Sequence, residues 1–135
     1  MPFNYDRTVH FADTDAAGVV FFANYLAICH EAYEESLAAS GIGLKEFFAD
    51  HAIVIPVVKS EAEYSRPLSC GDKVRVSVQP APLSEDSFEI RYEVKRLGTP
   101  AKRAARVRTE HVCVSSGTRG RQALPEPLAS WVRSG

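Results

Sequence analysis

Two carboxylates stand just before a glycine and an apolar segment in the stretch from His10 to Tyr25, HFADTDAAGVVFFANY. The acidic groups are Asp13 and Asp15, and a helix predicted to follow them begins with free backbone N–H groups. A carboxylate oxygen can act as a nucleophile or general base, and free N–H groups can stabilise an oxyanion. The pattern therefore predicts a site with a base on one side and oxyanion donors on the other.

The same residues also have a purely structural interpretation. Asp13 and Asp15 would then only cap the helix or hold the loop together, and Asp13 fits that role better than Asp15. Gly18 would let the loop turn and admit an acyl group closely, or it would be an ordinary turn glycine. The residue types alone leave these alternatives open.

A long amphipathic helix is predicted to begin at Phe22 and to end at Gly41 and Gly43. Apolar and small residues recur there at three- and four-residue steps, while the opposite face is acidic. The apolar stripe consists of Phe22, Tyr25, Leu26, Cys29, Ala32, Tyr33, Ser36 and Leu37. Such a helix can lie close against a sheet, and a second short helix is predicted over 44–49.

Five strands are predicted to surround this helix. They are Phe3 to Val9, Ile53 to Tyr64, Lys73 to Val78, Phe88 to Val94 and Arg103 to Val114. Pro80 and Pro82 are predicted to end the third strand, and the tail over 115–135 is predicted to lie on the surface with Trp131 pinning its end. No strand–helix–strand alternation occurs, so the sheet is predicted to be antiparallel in a single α+β domain over 1–135.

Composition excludes several classes of protein. A chain of 135 residues with 45% hydrophobic residues suits one domain with a real core. The net charge of −1 argues against nucleic acid as a partner, and no apolar run approaches the ~20 residues that a membrane helix needs. Three cysteines and no signal segment at the start predict reduced thiols and a cytoplasmic location.

The order of elements and the motif FADTDAAGVVFFANY together resemble the hotdog-fold acyl-CoA thioesterases of the 4-hydroxybenzoyl-CoA thioesterase type. The resemblance extends from Tyr5 to Val114 and implies a five-stranded antiparallel sheet wrapped around one long central helix. It implies that Asp15 is the catalytic carboxylate, acting as a nucleophile or through water, and that the backbone at Phe22 binds the oxyanion. It also implies a homotetramer, a dimer of dimers with sites at the dimer interfaces.

Two further segments, HEAYE at 30–34 and TEHVCV at 109–114, resemble the 1,4-dihydroxy-2-naphthoyl-CoA thioesterases of phylloquinone biosynthesis. This resemblance implies an aromatic acyl-CoA substrate, with Gly18, Phe22, Tyr25 and His30 as the residues that bind it. His30 stands where the 4-hydroxybenzoyl relative has an Asp that meets the ring hydroxyl. That departure favours a different hydroxylated ring as substrate. In the alternative interpretation, His30 is a structural histidine whose hydrogen bonds are made within the core or at an interface.

Other interpretations remain open at this point. A 4-hydroxybenzoyl-CoA or short-chain acyl-CoA substrate, or a non-catalytic module that binds acyl-CoA or an acyl carrier, would use the same fold. The haloacid-dehalogenase phosphatases share D-x-D-x-x-G but require a parallel sheet, which this order of elements does not provide. No two-histidine spacing suggests a metal, no cofactor is predicted, and His111 is expected to be structural rather than catalytic.

One basic cluster remains without an assigned role. It consists of Lys95, Arg96, Lys102, Arg103, Arg106 and Arg108 around one predicted turn. These residues could meet the phosphates of CoA, or they could form a solvated hairpin end.

Overall fold

The computed structural model describes residues 2–49 and 51–135. The strands are β1 (Phe3–Thr8), β2 (Ile53–Val54), β3 (Val57–Tyr64), β4 (Lys73–Ser84), β5 (Ser87–Arg96), β6 (Lys102–Val112) and β7 (Val114–Ser115). The helices are α1 (Asn24–Ala39), α2 (Leu44–Ala49) and α3 (Glu126–Arg133). A short 3₁₀ turn, Phe11–Asp13, follows β1.

The main sheet has five strands in the order β1-β4-β5-β6-β3, and every pair of neighbours is antiparallel. Helix α1 packs against its inner face and contacts β1, β4 and β6. Inward positions of the central strands are fully buried, as at Val76, Ile90 and Ala105. The predicted α+β hotdog arrangement of one sheet around one central helix is therefore confirmed.

Helix α1 forms the core of the fold because one of its faces is apolar at helical spacing. The buried residues on that face are Tyr25, Ile28, Cys29, Ala32, Tyr33, Ser36 and Leu37. The helix ends where predicted, since Gly41 adopts φ +91° and the next N–H, that of Ile42, donates to the carbonyl of Leu37 at 3.0 Å. No helix in the described part of the chain is long and apolar enough to cross a membrane.

The prediction that two prolines end the third long strand is wrong. Strand β4 continues through Pro80 and Pro82 to Ser84, and both prolines pair with residues of β5. The ladder between β1 and β4 stops at the pair Phe3–Val78, and beyond that point no strand of the described residues pairs with this side of β4. A proline is tolerated on such an edge because its missing N–H has no ladder partner to lose.

Two predicted strands are interrupted. The predicted strand over 53–64 divides at Pro56, so that Ile53–Val54 pairs with Val114–Ser115 in a separate two-stranded sheet. The last predicted strand divides at Cys113, because its final residues leave the main sheet and pair with β2 in the small sheet. The register of β3 against β6 also shifts between Val57 and Lys59.

The expectation of a surface tail is wrong for the end of the chain. Residues 126–133 form α3, which buries Leu128, Trp131 and Val132. The Trp131 indole N–H donates to the Ser36 hydroxyl on α1 at 2.9 Å, so the predicted pinning by Trp131 is confirmed. The tail packs inward because its apolar residues recur at i, i+3 and i+4, which gives a short helix one apolar face.

Candidate active site

Asp13 anchors the loop between β1 and α1 at four points. Its Oδ2 accepts hydrogen bonds from Arg7 Nη2 at 2.6 Å and from the His10 N–H at 2.8 Å. Its backbone carbonyl accepts from the Phe21 N–H at 3.0 Å and from Asn24 Nδ2 at 2.9 Å. The interpretation of Asp13 as the residue that holds the loop together therefore agrees with the geometry.

Arg7 links this loop to both the sheet and the helix, and sequence reasoning missed it. Its guanidinium also lies 3.3 Å from Glu31 of α1, and the Tyr5 hydroxyl donates to the same carboxylate at 2.5 Å. Burial, with the Glu31 hydrogen bond as the second cause, raises the pKa of Tyr5 to about 12. The available signal was a charged residue at an inward position of β1, with the apolar Tyr5 two residues before it and Val9 two residues after it.

Asp15 lies in a tight turn that leaves part of its carboxylate free. Its Oδ1 accepts from the Ala17 N–H at 2.8 Å, and its carbonyl accepts from the Gly18 N–H at 2.9 Å. Oδ2 has no hydrogen-bond partner among residues 2–49 and 51–135. Gly18 adopts φ +83°, so the turn requires glycine for its conformation. One lone-pair-bearing oxygen of Asp15 is thus available to a substrate or a water.

Asp15, Phe22 and Tyr25 share one pocket of about 420 Å³. Tyr25 is buried and meets the ring of Tyr64 edge-on, with 5.0 Å between ring centroids. The other residues lining the pocket are Val19, Val20, Phe21, Ser65, Arg66 and Pro67. The structure therefore brings three predicted site residues together beside aromatic walls, with Gly18 in the adjoining turn.

The backbone at Phe22 presents an available donor. Helix α1 begins at Asn24 rather than at the predicted Phe22, so Phe22 lies in the turn that precedes the helix. The Phe21 carbonyl of the preceding peptide accepts from the Asn24 N–H at 2.8 Å, which fixes the orientation of that peptide. Within the described residues, the Phe22 N–H donates to no protein atom. It is therefore free to stabilise an oxyanion.

His30 does not join this pocket in the single chain. Its side chain is 51% exposed, and its Nδ1 lies 3.1 Å from Glu34 Oε1 one helical turn away. Its ring also meets Tyr33 edge-on at 5.3 Å. A role for His30 in binding substrate stays a prediction.

His111 is a buried core residue on β6. Its Nε2 lies 2.8 Å from the Thr109 hydroxyl, and its ring stacks on Phe88 at 4.7 Å and nearly parallel. Burial, with the charge of His30 as a smaller cause, lowers the pKa of His111 to about 4. These contacts favour the predicted structural role over a catalytic one.

The predicted basic cluster lies outside the pocket, and some of its charges are already paired. Arg108 lies 2.9 Å from Glu89 and 2.7 Å from Glu110, and Lys95 lies 3.2 Å from Glu93. Arg66, which sequence reasoning did not select, is the cation that lines the pocket. No group of three or more His, Cys, Asp or Glu side chains in the described ranges is arranged to hold a metal ion.

Comparison with protein families agrees with this architecture. The family model of the thioesterase-like superfamily matches residues 9–132. The chain belongs to this superfamily. The matched region includes the aspartate loop, α1 and all of the main sheet except β1, so the family assignment covers the pocket as well as the fold.

Individual members of the thioesterase-like superfamily are similar over nearly their whole length. A 1,4-dihydroxy-2-naphthoyl-CoA hydrolase of Trichodesmium erythraeum is 47% identical, covering 99% of this chain and 97% of that protein. One of Nostoc punctiforme is 46% identical, covering 99% and 88%. The crystal structure of a 1,4-dihydroxy-2-naphthoyl-CoA thioesterase from Synechocystis has a TM-score of 0.93 at 33% identity, covering 98% and 96%.

Proposed function

We propose that this protein is an acyl-CoA thioester hydrolase that converts 1,4-dihydroxy-2-naphthoyl-CoA to 1,4-dihydroxy-2-naphthoate and CoA in phylloquinone biosynthesis. The observation that carries the chemistry is a pocket in which one Asp15 oxygen and the Phe22 N–H have no hydrogen-bond partner among residues 2–49 and 51–135. The substrate is supported by full-length similarity to hydrolases of that CoA ester.

The chemistry follows from these groups. Asp15 either attacks the thioester carbonyl or removes a proton from an attacking water. The tetrahedral oxyanion that forms is stabilised by the Phe22 N–H, and its collapse breaks the C–S bond and releases the CoA thiolate. If Asp15 is the nucleophile, water then hydrolyses the mixed anhydride between Asp15 and the acyl group.

A panel of acyl-CoA esters tests this function. Thiol release should give the highest kcat/KM with 1,4-dihydroxy-2-naphthoyl-CoA, followed by 4-hydroxybenzoyl-CoA and benzoyl-CoA, with an aliphatic acyl-CoA lowest. Flat rings suit the walls formed by Phe22, Tyr25 and Tyr64. A preference for the aliphatic ester would contradict the substrate, and binding without thiol release would indicate a non-catalytic module.

The proposed substrate contacts divide between two chains. Phe22 and Tyr25 line the pocket around the acyl group, and Gly18 shapes the turn beside it. His30 lies outside this pocket, so we place it against a substrate held mainly by a neighbouring subunit. A neutral imidazole there can donate to or accept from a ring hydroxyl.

Replacing His30 by Ala should therefore affect substrates according to their hydroxyl groups. We expect a loss of about ten-fold in kcat/KM with the dihydroxynaphthoyl ester and little change with benzoyl-CoA, because an unmet hydrogen bond costs more than a lost apolar contact. Glu34→Gln, which changes only the carboxylate 3.1 Å from His30 Nδ1, is the matched control. Equal losses on both substrates would show that His30 is structural.

We propose that the functional assembly is a homotetramer built as a dimer of dimers. Strand β3 forms one edge of the sheet, and it exposes Val57, Val58 and Tyr64, which are 45%, 59% and 47% exposed. An edge strand presents unpaired backbone N–H and C=O groups, which favour pairing with another strand. If two β3 strands pair antiparallel about a two-fold axis, Val57 of one chain lies near Tyr64 of the other. Because Tyr64 lines the pocket, the second chain would then lie beside the pocket.

Light scattering measures this assembly. At micromolar concentration the mass should be four times the 14.8 kDa of the chain. Val58→Lys should lower that mass, because it puts a charge in place of an exposed apolar side chain of the pairing strand, whereas Leu83→Lys makes the same change on β4 and should not. A wild-type mass of a single chain would overturn the proposal.

A cytoplasmic location and independence from any cofactor stay predictions from the sequence. The prediction that neither nucleic acid nor a membrane is a partner also rests on the sequence.

A further inference from the structure

Tyr64 contacts the proposed oxyanion segment from the edge of the sheet. It is the last residue of β3, and its hydroxyl donates to the carbonyl oxygen of Phe22 at 3.2 Å, across 42 positions of sequence. Its ring packs edge-on against Tyr25 at 5.0 Å, and Tyr64 lines the same pocket as Asp15. One side chain therefore touches the pocket wall and the backbone of the segment that carries the free N–H.

The contact acts on the peptide that follows Phe22. The peptide before Phe22 is held through the Phe21 carbonyl, which accepts from the Asn24 N–H at 2.8 Å. The peptide after it is held through the Phe22 carbonyl, which accepts from Tyr64 and, at 3.3 Å, from the Tyr25 N–H. Because both flanking peptides are held, the direction of the Phe22 N–H is restricted before substrate arrives.

We propose that Tyr64 is a positioning residue, whose hydroxyl holds the Phe22 segment so that the Phe22 N–H points at the reacting carbonyl. This inference rests on the proposed thioester hydrolysis. A donor aimed in advance at the oxyanion lowers the barrier of the chemical step, and a small misalignment weakens it strongly. Tyr64 does not contact Asp15 through any described hydrogen bond, so its effect is on the oxyanion side of the reaction.

Tyr64→Phe tests the role because it keeps the ring against Tyr25 and removes only the hydroxyl. We expect kcat to fall about ten-fold with KM within about two-fold of wild type. The melting temperature, the assembly mass and the acidic limb of the pH–rate profile should stay unchanged. Tyr92→Phe removes a tyrosine hydroxyl from the core away from the pocket and should leave kcat unchanged.

Amide hydrogen exchange provides a second readout that needs no substrate. In Tyr64→Phe the segment 21–24 should exchange several-fold faster than in wild type, while exchange elsewhere stays the same. Unchanged exchange, unchanged kcat, or a change in KM alone would each overturn the positioning role. A fall in kcat accompanied by loss of assembly or a lower melting temperature would also overturn it, since the role would then be structural.

The kinetic comparison uses whichever ester of the panel the wild type hydrolyses best. If that ester is not the dihydroxynaphthoyl one, the proposed substrate fails while the test of Tyr64 still stands. If wild type releases no thiol from any ester, the proposed function fails, and the exchange measurement still decides whether Tyr64 orders the segment.

Discussion

Replacing Asp15 by Asn is expected to lower kcat by about 10³-fold while the fold is retained. The amide oxygen can still accept from the Ala17 N–H, as Oδ1 does, so the turn keeps its shape. The amide removes the basic Oδ2, which accepts no hydrogen bond from any described residue and lies in the pocket. Steady-state thiol release measures kcat, and circular dichroism and the melting temperature show whether the fold is retained.

Asp13→Asn is the matched control, because it makes the same chemical change two residues away. It weakens the hydrogen bonds from Arg7 and from the His10 N–H, so it should lower the melting temperature and reduce kcat far less than the change at Asp15. Near-wild-type kcat in Asp15→Asn with unchanged circular dichroism would refute the assignment. A larger loss of kcat in Asp13→Asn than in Asp15→Asn would exchange the two roles.

The stability of the protein is expected to fall as the pH is lowered from about 6.5 to about 4, with His111 as a main cause. Burial lowers the pKa of His111 to about 4 from its ordinary value of 6.5. Between those values the unfolded chain binds a proton that the folded chain excludes, so acid favours unfolding. The full difference between the two pKa values corresponds to about 3 kcal/mol of unfolding free energy, present above pH 6.5 and lost toward pH 4.

Urea unfolding at a series of pH values measures this loss in wild type and in His111→Gln. The variant lacks the titrating group but can still bond Thr109, so its stability should change less over that range. His51→Gln removes an exposed histidine and should retain the wild-type slope. Parallel curves for wild type and His111→Gln would show that other groups cause the acid sensitivity.

Local patterns were sufficient to predict most of the architecture. Apolar residues recur every three or four positions in α1 and alternate with polar ones in β1, β5 and β6. These patterns identified the elements, because the buried face of a helix repeats about every 3.6 residues and that of a strand every two. The loop with Asp15 and Gly18 was also readable, since its hydrogen bonds join residues within four positions of one another. The family resemblance then suggested the chemistry that we propose for this loop.

Other features depended on contacts between distant parts of the chain. Pro80 and Pro82 remain in a strand because β1 ends opposite Val78, and no local rule reports where a neighbouring strand stops. The partner of the Trp131 indole N–H is the Ser36 hydroxyl on another helix, 95 positions away, and no local pattern indicates that pairing. His30 shares a helix face with predicted core residues, yet its exposure is set by what the rest of the chain covers.

The sequence by itself determined the period of each main element, the carboxylate loop and the family to which they belong. Only the tertiary structure decided that Tyr64 reaches the Phe22 carbonyl, that Arg7 bonds Asp13 and Glu31, and that His30 stays outside the pocket. The physical reason is that a side chain's burial and partners depend on which strands become neighbours. Which strands become neighbours depends on how the whole sheet packs around α1, and the spacing of residues within one segment does not determine it.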